Sequence, residues 1–140
     1  MGVIEGNRPA SDNDWETISG GGDAAIRKWI GEQMSGRTCS VVLVGTHTSG
    51  RKWINYEIEK TWDDGKGLVG IHIHNLQDRD GNQSSKGSNP FWNILKDGHR
   101  LSSIVQCYDP PYTRSTNVYD HIKQNIEQWI EEAITIRKSY

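Results

Sequence analysis

The stretch CSVVLVG, residues 39 to 45, constrains this chain more than any other, because it is apolar without a break from Val41 to Val44. A strand with one wet face alternates apolar and polar residues; an unbroken run is expected of a parallel strand covered on both faces. The sequence around it fits that reading. THTSG follows as a strand-to-helix loop, and RKWINYEIEKTW, residues 51 to 62, then repeats Ile54, Ile58 and Trp62 (or Thr61) at helical spacing. Asp63-Asp64-Gly65-Lys66-Gly67 breaks that helix, and LVGIHIH reads as a second strand.

The flanks extend the pattern. Upstream, Asp23 is placed to cap a helix over AAIRKWIGEQM, ended by Ser35-Gly36, while residues 1 to 22 read as loop, with Pro9, a polar SDND run and Gly20-Gly21-Gly22. Downstream, residues 75 to 100 are rich in turn formers, and a loop of that length in a small domain is often functional. LSSIVQCYD reads as a last strand. VYDHIKQNIEQWIEEAITI then carries Ile122, Ile126, Trp129, Ile130 and Ala133 on one helical face. Helices alternating with strands at short spacing predict an α/β fold with a doubly wound parallel sheet, residues 1–140 forming a single domain. Ligand crevices in such sheets lie beyond the carboxyl ends of the strands.

Bulk properties narrow the function. The 140 residues carry a net charge of -2 with pI near 6.2 and no dense basic run, which argues against nucleic acid or an anionic membrane as partner. No stretch approaches the ~20 apolar residues of a membrane span, and MGVIEGNRPASDND lacks the pattern of a signal peptide. Cys39 and Cys107 both fall in apolar strand-like segments and read as buried, reduced thiols of a cytoplasmic protein.

Several familiar chemistries fail on spacing. Gly20-Gly21-Gly22 precedes a helix, yet Asp23-Ala24-Ala25 follows where a phosphate loop needs Gly-Lys-Ser/Thr. His72 and His74 share one face of a strand, but no third metal ligand is identifiable, so a polar strand end is the better reading and no metal is expected. Asp78-Arg79-Asp80-Gly81-Asn82 opens like a calcium loop but has Gln83 and Asn89 where glycine and an acid belong; Asp-Gly here signals a turn. Gly45, Thr46 and His47 follow Val44, where a phosphoacceptor domain needs Asp, and no G-x-S-x-G elbow occurs. Glu57 is what remains. It lies on the shoulder of the 51–62 helix, one turn after Trp53. Glu in mid-helix is usually solvated. After a buried strand and beside an aromatic it also reads as a desolvated carboxylate suited to acid–base work or to stabilising a cation.

The string SVVLVGTHTSGRKWINYEIEKTWDDGKGLVGIHIHNLQDRDGNQSSKGSNPF, residues 40 to 91, resembles the TIR-like family to which the Thoeris antiphage sensor proteins belong. ASDNDWETI, GDAAIRKWI, LSSIVQCYD and the terminal helix extend the resemblance over nearly the whole chain. Its distinctive parts are the W-x-x-x-E helix from Trp53 to Glu57, the GKGLVGIHIHN strand and the SKGSNPF loop. The resemblance implies a flavodoxin-like, TIR-like sheet. Against the family pattern the chain is expected to be N-terminally truncated, lacking the usual first strand and helix; that would leave an unpaired sheet edge, which self-association could complete.

By the same resemblance, Glu57 is the catalytic acid of an NAD+ glycohydrolase or cyclase that releases nicotinamide. NAD+ is then a substrate, and no further cofactor is implied. The product would be a cyclic ADP-ribose-type signal that reaches a partner effector. Trp53 would pack the helix and the cleft wall, and His47, Asp12, Asp14 and Trp15 would line the same crevice. The other activity the family allows is a non-catalytic interaction module acting through oligomerisation.

Overall fold

The computed structural model describes residues 3–5, 38–77 and 82–140. The helix expected over residues 24–34, the Gly20–Gly22 run, Asp12, Asp14, Trp15 and the Asp78–Gly81 turn lie outside them. A sheet in the order β1 (Val3–Glu5), β2 (Cys39–Val44), β3 (Gly67–His72), β6 (Cys107–Tyr108) forms the middle layer. β2 and β3 pair in parallel along their whole length, from Cys39 opposite Gly67 to Val44 opposite His72. β6 adds to β3, also in parallel. The fold is α/β, as the apolar run of β2 demands: all its residues are buried.

Alternation along the strands separates two cores. Val41, Leu43, Val69 and Ile71 pack with the stripe Val118, Ile122, Ile126, Trp129, Ile130 and Ala133 of the terminal helix, α2 (Ser115–Lys138). Val42, Val44 and Leu68 point the other way, onto Ile54, Ile58 and Trp62 of α1 (Lys52–Asp63) and onto Phe91, Ile94 and Leu101. α1 stops at Gly65, whose φ of 77° reverses the chain; its amide donates to Trp62 O and that of Lys66 to Thr61 O, satisfying carbonyls the helix end would leave open. Each helix therefore covers one sheet face, and the carboxyl ends of the parallel strands all point to one edge of the domain.

Three sequence expectations are corrected. Val3–Glu5, read as loop, is a strand, β1, paired antiparallel to Ser40–Val42 of β2. Over those residues the edge expected to be bare is paired, so the sheet is mixed. Three residues are too short a run for alternation to announce. LSSIVQCYD is strand only at Cys107–Tyr108; Leu101–Ser103 forms a 3-10 turn whose Leu101 carbonyl accepts from the Ile104 and Val105 amides. The buried residues there, Leu101, Ile104 and Val105, are spaced as on a helix and not as on a strand. Finally, the 75–100 segment contains a hairpin, β4 (Leu95–Lys96) with β5 (His99–Arg100). Its turn residues Asp97 (φ 51°) and Gly98 (φ 82°) both adopt positive φ, the backbone an Asp-Gly hairpin turn requires.

Candidate functional site

Glu57 belongs to the sheet-facing stripe of α1 with Ile54, Ile58, Thr61 and Trp62, and it is only 6 % exposed. Of the two readings its position allowed, solvated or desolvated, the structure selects burial. A carboxylate taken out of water needs a compensating interaction, and Glu57 is not without a contact. Trp53, one turn earlier, is 67 % exposed and stacks on Tyr56 with ring centroids 5.7 Å apart. Its ring packs along its own helix. The burial of Glu57 comes from its place on the stripe.

The loop between β2 and α1 is braced by a residue that sequence reasoning passed over. The Gly45 amide donates to Thr48 Oγ1 at 2.8 Å, and Thr48 is buried while its neighbour His47 is exposed. A Thr three residues after a strand-ending Gly is the signal that could have found it.

The second feature is a strap. Residues 82–87 run across the carboxyl ends of all three parallel strands. At β2, Thr46 Oγ1 donates to Ser85 O at 2.6 Å, and a Cβ on Gly87 would run into the Gly45 carbonyl oxygen. Only glycine allows the backbones so close. At β3, the Ser84 amide donates to His74 O (2.9 Å) and Gln83 Nε2 to Asn75 O (2.7 Å). At β6, Lys86 pairs with Asp109 at 2.9 Å. Ser85, Lys86 and Gly87 of the SKGSNPF motif, within the long turn-rich segment, thus lie over the carboxyl ends of the strands.

Beside the strap, His72 is 5 % exposed and His74 half-buried, their rings edge to face with centroids 6.0 Å apart. The Nδ1 atom of each is buried without a hydrogen-bond partner. His72 is thus not simply a polar strand end: burial holds its pKa below the usual histidine value, Asp109 opposes that shift, and Lys86 and His74 add to it. Cys107 on β6 is a free thiol pushed up to about 12 by burial, and so is not a nucleophile at neutral pH. Among the described residues no three His, Cys, Asp or Glu side chains are grouped to hold a metal, and no helix is long and apolar enough to cross a membrane.

Buried parallel strands with a strap across their carboxyl ends, and a buried carboxylate on the helix that follows the first of them, define a TIR-like arrangement. Residues 2–78 match the family described as Thoeris protein ThsB, TIR-like domain, and the chain belongs to that family. It is also 38% identical over 91 residues to a Bacillus cereus (strain MSX-D12) protein, ThsB1, whose name assigns it provisionally as a cyclic ADP-D-ribose synthase. That alignment takes in 62% of this chain and 47% of the relative, so the chain spans about half the length of the curated relative it matches. Glu57, Trp53, His47 and the His72–His74 pair all fall within the family-matched residues, whereas the strap and α2 follow them.

Proposed function

We propose that this protein cleaves NAD+ in antiphage defence, with Glu57 as the catalytic carboxylate. The burial of Glu57 at 6 % exposure, on the helix after β2 and within the family-matched segment, carries the reading. The name of the Bacillus relative, which points to cyclic ADP-D-ribose, supports it. In this reaction the bond between nicotinamide nitrogen and ribose C1′ breaks, and its electron pair leaves with nicotinamide. The ribose is left cation-like at C1′. A carboxylate in a site of low polarity stabilises that charge far better than it could in water, and it can hold a ribose hydroxyl. Attack by water gives ADP-ribose; attack by a nucleophile of the same molecule gives a cyclic isomer. Either route releases one proton. The cyclic product would act as a signal to an effector in the cytoplasm. Trp53, His47, Asp12, Asp14 and Trp15 complete the proposed substrate contacts.

Glu57→Gln keeps the shape and removes the charge. The expected result is loss of NAD+ turnover of 10²-fold or more, of the order seen when one charge-stabilising group is removed from an active site, with an unchanged circular dichroism spectrum. Equal turnover by both proteins, followed by mass spectrometry, would sink the assignment.

A second reading has its own observation. Trp53, Tyr56, Trp92 and Leu95 are large, apolar and mostly exposed, a composition typical of interaction surfaces. A non-catalytic module that self-associates would consume no NAD+ at any protein concentration, and its oligomerisation would ignore Glu57→Gln.

A further inference from the structure

We propose that His72, edge to face with His74 and beside the 82–87 strap, forms a proton-sensitive latch. With the His72 imidazole neutral the strap stays docked on the strand ends, and a proton taken up by His72 releases it. The inference stands whether or not NAD+ is the substrate.

The geometry leaves little tolerance for charge. A neutral imidazole carries one N–H and one lone pair, and a buried lone pair without a donor is a modest loss. Protonation turns both ring nitrogens into donors, and Nδ1 of His72 has no acceptor. The charged and titratable groups facing His72 are Lys86 from the strap, Asp109 from the end of β6, and His74 from its own strand. Asp109 favours the proton but is already paired with Lys86 at 2.9 Å. Lys86 and His74 disfavour it.

The strap is the element free to yield. Its anchors are polar, among them hydrogen bonds at Thr46, His74, Asn75 and Thr113 and the Lys86–Asp109 pair, and all its residues except Gly87 are exposed. No apolar side chain anchors it to either core. Strand β3, by contrast, is buried throughout. Moving the strap admits water to the imidazoles at the cost of surface hydrogen bonds; moving β3 would disrupt both cores.

The sign follows from His72 being neutral when docked. The undocked state binds the proton more readily. Docking is therefore fully stable above the ordinary histidine value of about 6.5 and weakens as pH falls through it, by up to about tenfold per pH unit, until the docked state also takes the proton.

Hydrogen exchange of the whole protein, read by mass spectrometry from pH 7.5 to 5.0 and corrected for intrinsic rates, tests this. Protection of the Ser84 amide and its strap neighbours should fall up to about tenfold per pH unit below about 6.5, while the amides of Val41–Val44 hold steady. His72→Gln should flatten that slope. A flat wild-type profile, or an equal slope in His72→Gln, overturns the latch. Should that variant not fold, NMR titration of the wild-type His72 ring decides. A midpoint below the ordinary value, in step with strap amide shifts, supports the latch. A midpoint at or above it, or one out of step with the strap, overturns it.

Discussion

α1 and α2 cover opposite faces of the same sheet, and β2 serves both, Val41 and Leu43 facing one helix and Val42 and Val44 the other. Their buried stripes nonetheless differ in kind. Every buried residue of α2 is apolar: Val118, Ile122, Ile126, Trp129, Ile130 and Ala133. The stripe of α1 is interrupted by Glu57 and by Thr61, whose hydroxyl lies 3.3 Å from that of Ser40 on β2. A face that serves only stability has no use for such groups, because each needs a compensating partner to offset its lost hydration. α2 is built to hold the sheet together. α1 holds it while keeping a carboxylate out of water.

That contrast can be broken at its strong side first. Ile126→Ala on the all-apolar stripe, at a fully buried site, should cost about 2–5 kcal/mol, read from the midpoint of urea unfolding. A loss below about 1 kcal/mol would mean that α2 is not the structural face. On the α1 side, Ser40→Ala strands the buried Thr61 hydroxyl and should cost about 1 kcal/mol. Adding Thr61→Val should return part of that loss. Strict additivity in the double-mutant cycle would show that the two hydroxyls do not interact. Trp53→Ala sharpens the comparison at the smallest scale: for so exposed a residue the midpoint should move by no more than about 0.5 kcal/mol. A raised KM for NAD+ at an unmoved midpoint would give Trp53 its proposed substrate contact.

Much of this is legible in the sequence. β2, α1, β3 and α2 lie close to where periodicity places them, because each has enough residues for a period to emerge. Short elements escaped. β1 has three residues, and the β4–β5 hairpin has two per strand, held by backbone bonds and a turn. The apolar character of Leu101, Ile104 and Val105 suggests a strand, whereas their spacing is that of a turn of helix. At the site, the helical wheel put Glu57 on a shoulder, where solvated and buried readings compete. Packing against the sheet resolved that competition. The strap was visible only as a long run of turn residues, with nothing to say what it crossed.

The sequence by itself determined which residues enter the layers, since unbroken and periodic apolar patterns are local and leave few ways to bury them. Tertiary structure alone decided what those layers bring together: Glu57 withdrawn from water, Gly87 against Gly45, and Lys86 and Asp109 beside His72. These partners lie tens of residues apart in the chain. Their juxtaposition depends on strand order and register, which no local pattern encodes.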